Sequence, residues 1–199
     1  HKLGAGLHEL FLSVTADRTG VPFVAFVAAE RSKIVVSDVD GTLTSSEKAY
    51  WATVAWDKVA TPQPSAAKAL AAAAAKGYQV IYVTARGGQF TDDTRRWLAS
   101  NGFPQGPVRL APTAMVIPGK RTVDYKSKVL EPLVKSFELV AGVGNRASDI
   151  SAYTNAGLAA DRIFIKLPEF TDELRDDLAA NKATGIGHYD ELVAKMPHL

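Results

Sequence analysis

An α/β fold, layered as a three-layer sandwich around a mostly parallel sheet and preceded by a short β-rich segment, is what this sequence predicts. Short apolar runs that close on acidic or polar residues alternate with stretches of helix formers, the pattern of strands covered on both faces by crossover helices. Gly77, Gly102 and Gly157 stand where those helices should stop. The first 32 residues break the pattern, with two β-rich runs and no helical stretch.

Residues 7–14 and 21–28 read as two strands flanking the polar Ala16-Asp17-Arg18-Thr19-Gly20 stretch, with Pro22 suited to a strand start or an edge. Residues 1–32 are thus expected to be a hairpin or small β element, the remainder of another module, and residues 33–199 the α/β domain. Residues 34–37 and 78–84 are continuous apolar runs that fit buried parallel strands. Between them, Pro64 and Ser65 are expected to cap an alanine-dominated helix that runs to Lys76. A second helix is expected over 91–101, with Thr91 as its cap and Trp97 and Leu98 facing inward. Helices over 127–136 and 147–156, strands over 137–143 and 162–165, and terminal helices over 171–180 and 190–195 complete the reading.

The composition supports one soluble globular domain: 199 residues, 47% hydrophobic and 22% charged, without an apolar run of membrane-spanning length. Lys and Arg number 23 against 21 Asp and Glu, a net charge of +2 that gives no ground for a polyanionic partner. The lack of cysteine excludes disulfides, thiolate zinc sites and cysteine nucleophiles. His1, His8, His188 and His198 are scattered, so a histidine-built zinc centre is not expected. The start of the chain shows no signal-peptide pattern, which leaves the compartment open.

The chemistry concentrates in Ile34-Val35-Val36-Ser37-Asp38-Val39-Asp40-Gly41-Thr42. Ligands of open α/β sheets bind outside the carboxyl ends of strands, and here two carboxylates follow a buried strand one residue apart. Extended backbone would send Asp38 and Asp40 to the same side, and Gly41 would let the chain turn. Like charges this close need a divalent cation or a shared proton. The ordinary alternative is a pair of solvated acids at a strand end. Further on, Gly142-Val143-Gly144-Asn145-Arg146-Ala147 also satisfies a dinucleotide-binding fingerprint, with Asp161 about where a ribose-binding acid would lie. It comes late, with one expected strand after it, which argues against that reading.

The Asp-x-Asp-Gly-Thr segment resembles the first motif of the haloacid-dehalogenase-like phosphotransferases. That resemblance implies Asp38 as the nucleophile that forms an aspartyl-phosphate, and Asp40 as the acid that protonates the leaving oxygen and later activates water. It implies Thr84, in Val83-Thr84-Ala85-Arg86, as a donor to the phosphoryl oxygens. It implies Lys126, in preference to Lys128, as the cation between phosphate and nucleophile. Asp38, Asp40, Asn145 and Asp149 would then hold Mg²⁺, which prefers hard oxygen ligands. The ordinary alternatives are a solvated helix lysine and, for Asp149, an acid in the first turn of a helix.

Longer stretches resemble one branch of that superfamily, the lipin C-terminal domain and its Nir/retinal-degeneration-B relatives. The carrying residues run from Asp38 to Ser46, from Gly77 to Arg86, through Trp97-Leu98 and from Phe103 to Pro107. Gly144-Asn145-Arg146, Asp149, Ala152-Tyr153, Gly157-Leu158 and residues 162–165 extend the likeness. Lipins are Mg²⁺-dependent phosphatidate phosphatases, whereas the Nir-type domains bind phosphatidate without turnover, having lost the nucleophile. With Asp38 and Asp40 both present, the resemblance implies the catalytic kind. The intervals from Asp40 to Thr84 and from Thr84 to Lys126 leave no room for a full cap domain, so an open site is expected. An open site suits a phosphate on a large surface: a phospholipid with peripheral membrane contact, a polynucleotide end or a phosphoprotein. The near-neutral charge argues against nucleic acid. Trp51 and Trp56 would either enter a lipid interface or pack in the core. Thr44 and Glu47 fit a capping box, and no basic amphipathic membrane helix is visible.

Overall fold

The computed structural model describes residues 2–46, 60–112 and 119–199. Strands β1 (Gly6–Ser13) and β2 (Gly20–Val27) pair antiparallel as a two-stranded sheet of their own. Asp17 holds the turn between them, accepting hydrogen bonds from the Thr19 amide at 3.0 Å and hydroxyl at 2.7 Å.

The chain then enters a six-stranded sheet at β3 (Lys33–Ser37), followed by α1 (Ala66–Ala75) and β4 (Gln79–Gly87). Next come α2 (Thr91–Ser100), β5 (Val108–Ala111), α3 (Lys120–Ser136), β6 (Glu138–Gly144) and α4 (Ala147–Asn155). The chain continues through β7 (Ile163–Lys166), α5 (Thr171–Ala179), β8 (Thr184–Ile186) and α6 (Asp190–Lys195). The sheet order is β5-β4-β3-β6-β7-β8, and every pairing is parallel.

The apolar strand runs have a direct cause. Ile34, Val35 and Val36 are all fully buried, because alternate side chains enter two separate cores. Val35 packs with Leu70 of α1, Leu98 of α2 and Leu192 of α6 on one face. Ile34 and Val36 pack with Leu130 of α3, Ile150 and Tyr153 of α4, and Leu174 of α5 on the other. The result is three layers. On α1 the buried residues Ala66, Ala69, Leu70 and Ala73 form one stripe at helical spacing, so the alanine run is a packed helix.

Four local expectations are corrected. Ser65 has a left-handed backbone, φ 61°, and its side chain caps nothing. Thr91 is the first residue of α2 rather than its cap, and its hydroxyl donates to the Gly88 carbonyl at 2.6 Å. Helix α3 begins at Lys120, not near Ser127, so Lys126 lies inside the helix. Its buried stripe is Thr122, Lys126 and Leu130, and two polar side chains there conceal the periodicity that would mark a helix. Finally, β8 extends the sheet where only helices were expected, because three residues centred on a glycine carry no alternation signal.

This topology positions the site. From β3 the chain builds outward through β4 and β5, then crosses to the other side of β3 for β6, β7 and β8. The loops leaving β3 and β6 therefore diverge, and the crevice between them opens at the carboxyl ends of those two strands.

Candidate active site

Asp38 directly follows β3, and its amide donates to the Val143 carbonyl of β6 at 2.9 Å, which ties the two strand ends together. One carboxylate oxygen, Oδ1, accepts a hydrogen bond from Lys126 Nζ at 2.7 Å. The other, Oδ2, accepts from the Thr42 hydroxyl at 2.9 Å. Lys126 also donates to Asp149 Oδ1 at 2.5 Å. The three side chains are almost completely buried, with 7%, 5% and 0% exposure for Asp38, Lys126 and Asp149. Lys128, by contrast, is exposed on the same helix, and the lysine in the site is Lys126.

Asp149 does two jobs from the first turn of α4. Its Oδ2 accepts from the Asn145 and Arg146 amides at 3.0 and 3.1 Å, capping the helix, while Oδ1 faces Lys126. The ordinary reading of this acid and the functional one thus occupy different oxygens. Gly144 makes the approach possible, since a Cβ built there would lie 2.4 Å from the Asp149 Cβ and 2.6 Å from its Oδ2. Gly144→Ala is therefore expected to push Asp149 off Lys126 and to destabilise the fold by about 1–3 kcal/mol. Urea unfolding checks the stability. The position is insensitive if unfolding and activity both match wild type. Gly142 plays the same part for Tyr153, whose ring atoms would lie 2.6 Å from an added Cβ and whose hydroxyl donates to the Val143 carbonyl at 2.9 Å.

Two carboxylates against one ammonium leave this buried cluster with an excess negative charge. Burial pushes the Asp38 carboxyl upward, Lys126 opposes the shift, and the charges of Asp149 and Asp40 add to it, giving a value of about 7. Burial works to discharge Lys126, but Asp149 and Asp38 outweigh it and hold the ammonium well above its ordinary range. Tyr189 donates to the Thr42 carbonyl at 2.9 Å, and burial keeps its phenol protonated.

Asp40 sits in an adjoining cluster. Its carboxylate receives Nε of Arg86 at 2.9 Å on Oδ2 and Nη2 at 2.6 Å on Oδ1, with the Thr84 hydroxyl 3.2 Å from Oδ2. The side chain of Asp40, a residue expected among the metal ligands, has both oxygens engaged by the Arg86 fork and one of them by Thr84.

The oxygens of Asp38 and Asp149, with the Asn145 Oδ1, are further donors toward a cation. Asn145 is 1% exposed; its Oδ1 accepts from the Thr42 hydroxyl at 3.1 Å, while its Nδ2 is buried without a partner. The unpartnered Nδ2 is a donor suited to an anionic oxygen, while the surplus negative charge of Asp38 and Asp149 fits a hard divalent cation that keeps several waters. Among the described residues no group of three or more carboxylates or histidines gathers at one point, so such an ion would rely on those waters.

The structure thus brings Asp38, Lys126, Asn145 and Asp149 into one cluster and Asp40 and Thr84 into its neighbour. Arg86 and Thr42 have no place in the sequence-derived set. The signal for Arg86 was its position two residues after Thr84 on β4, which puts both on the same side of the strand. Trp51, Trp56 and Glu47 lie outside the described residues.

The sequence model of the "PITM 1-3, LNS2 domain" matches residues 35–166. The chain is 30% identical over 185 residues to phosphatidic acid phosphohydrolase 1 of Saccharomyces cerevisiae, covering 80% of this chain and 21% of that protein. It is 28% identical over 194 residues to protein retinal degeneration B of Drosophila melanogaster, covering 91% of this chain and 14% of that one. It therefore spans only about a fifth or less of the length of these relatives. The solved class C acid phosphatase of Bacillus anthracis with tungstate bound superposes with a TM-score of 0.55 at 19% identity, over 85% of this chain and 79% of that one. The likeness shows the fold, a haloacid-dehalogenase-like α/β sandwich. With the domain model spanning well over half of its residues, the chain belongs to the lipin/PITM LNS2-domain family.

Proposed function

We propose that this chain is a Mg²⁺-dependent phosphomonoester phosphatase that works through an aspartyl-phosphate, with phosphatidate as substrate and diacylglycerol as product. The observation that carries the reading is the buried Asp38–Lys126–Asp149 cluster at the β3/β6 crevice, with Asp40 beside it. A carboxylate held in a negatively overcharged pocket is suited to a task that brings in a cation and a phosphoryl group.

In the first half of the reaction Asp38 forms a bond to phosphorus, the ester P–O bond breaks, and Asp40 gives its proton to the leaving oxygen. In the second half a water oxygen attacks phosphorus and passes a proton to Asp40. The Asp38–phosphorus bond then breaks, releasing inorganic phosphate. Lys126 holds Asp38 in place and offsets charge on the transferring group, and Thr84 donates to a phosphoryl oxygen. A bound Mg²⁺, held by Asp38, Asp40, Asn145 and Asp149, would screen the charge of the phosphate from the attacking carboxylate.

The yeast relative, a phosphatidic acid phosphohydrolase, supports the choice of phosphatidate. A lipid substrate also implies peripheral contact with a membrane surface. No helix among the described residues is long and apolar enough to cross one. The match to the PITM domain favours a second reading, a phosphatidate-binding module without turnover. Phosphate release from phosphatidate in mixed micelles separates the two. Turnover with Mg²⁺ is expected to fall by at least about 100-fold in EDTA and to return when Mg²⁺ is restored. Binding to phosphatidate micelles without release under any metal condition would establish the module instead. Release that persists undiminished in EDTA would remove the metal from the mechanism.

A further inference from the structure

Arg86 emerges on Asp40 through the fold rather than through motif order. Its Nε lies 3.1 and 2.9 Å from the two Asp40 oxygens and its Nη2 lies 2.6 Å from Oδ1, so one planar group grips the whole carboxylate. The far side of the guanidinium is anchored as well. Nη1 donates to the Thr94 hydroxyl at 3.0 Å, and Thr94 is fully buried on α2. Thr84 closes the arrangement: its hydroxyl bonds Asp40 Oδ2 at 3.2 Å and accepts from the Arg86 amide at 3.2 Å. The pair is shielded, with 7% exposure for Arg86 and 15% for Asp40.

Such a clamp fixes orientation. A carboxylate at the start of a glycine-containing turn would otherwise rotate about its own side-chain bonds, and a proton donor or acceptor works only within hydrogen-bond reach of the reacting oxygen. The fork geometry is specific to arginine, since a lysine ammonium would touch the carboxylate at a single point and leave Thr94 unengaged.

We propose that Arg86, anchored by Thr94, is the positioning residue that aims Asp40 at the leaving oxygen and then at the attacking water. The proposal deepens the phosphatase reading given above and rests on it. Arg86 itself transfers no proton. The proton that Asp40 gives to the departing alkoxide when the P–O bond breaks is replaced by one taken from water when the Asp38–phosphorus bond is hydrolysed. The direct competitor is an Arg86 that binds the substrate phosphate.

The leaving group separates these roles. A diacylglycerol alkoxide needs a proton as it departs, whereas p-nitrophenolate leaves without one. With Mg²⁺ present, Arg86→Gln is expected to lower kcat/KM for phosphatidate in mixed micelles by about 100-fold and for p-nitrophenyl phosphate by less than about 5-fold. Arg86→Lys and Thr94→Val should show the same skew with smaller losses. In an Asp40→Asn background, adding Arg86→Gln should cost less than about 2-fold on phosphatidate, because a residue that acts through Asp40 has nothing left to aim.

Equal losses on the two substrates, or losses that multiply in the double variant, would overturn the proposal in favour of direct phosphate binding. Circular dichroism melts establish that each variant folds. If Arg86→Gln does not, Arg86→Lys and Thr94→Val carry the same substrate comparison. A wild-type chain that releases phosphate from neither substrate defeats the phosphatase reading itself, whereas wild-type turnover with unskewed variants removes only the role given to Arg86.

Discussion

Asp38→Asn is expected to abolish phosphate release, by at least about 10³-fold, while making the metal-free protein more stable at alkaline pH. The activity loss follows from the chemistry, since an amide oxygen cannot form the aspartyl-phosphate and no neighbouring group can replace it. The gain in stability follows from charge. Asp38, Asp149 and Lys126 together bury one negative charge too many, and the Asp38 carboxyl is raised from 3.8 to about 7 mainly by that burial. Between those values the folded state holds a proton that the unfolded chain has released, so stability falls as pH rises through this window. Asparagine carries no such cost, and it leaves Lys126 paired one to one with Asp149. In EDTA at about pH 8 the variant should melt several degrees above wild type, at roughly 2–4 °C per kcal/mol for a chain of this size. The difference should shrink as pH falls through 7 and vanish below about pH 4. Thermal melts across that range, beside phosphate-release assays, check both halves. A variant that melts below wild type at every pH would show that the buried charge excess is not what strains the site.

Lys126→Met is expected to have the opposite effect on stability and the same effect on activity. Methionine fills much of the lysine stem's volume but removes what is, among the described residues, the only cation within hydrogen-bonding distance of Asp38 and Asp149, both at most 7% exposed. Two carboxylates would then share a dry cavity. Stranding a buried charge costs about 3–5 kcal/mol, so urea or thermal unfolding at about pH 8 should show a large loss. Asp38, already raised by burial, can escape that penalty only by binding a proton in the folded state, so the deficit should widen as pH rises. Turnover should fall with it, because Asp38 loses the group that holds one of its oxygens. Lys128→Met is the control: that lysine is exposed, and its loss should move stability by no more than about 0.5 kcal/mol. A Lys126→Met protein within 1 kcal/mol of wild type at pH 8, a bound set by the ordinary cost of surface changes, would mean that the cluster does not hold the crevice together.

The two variants differ in sign because they move the same buried charge in opposite directions, and this could not be read from residue order. The run from Ile34 to Asp40 announces a strand and its carboxyl-terminal acids, since period and composition are local properties. Likewise, the alanine run before Gly77 announces a helix. Helix α3 was only half legible, because the face that turns inward presents Thr122 and Lys126, and the burial of Lys126 is justified by Asp38 and Asp149 on other segments. Arg86 was legible in principle from its spacing to Thr84, yet its partner, Asp40, lies 46 positions away in the chain.

The sequence by itself determined the α/β alternation, the strand ends on which acids stand and the order of the segments that meet. It did so because helix and strand preferences act over a few residues. Only the tertiary structure decided which charges share a desolvated pocket, that Lys126 rather than Lys128 enters it, and that Asp40 turns into the Arg86 fork. Those choices are made by parallel pairing of β3 with β4 and β6, which brings distant side chains within hydrogen-bonding range and strips away the water that would otherwise screen them.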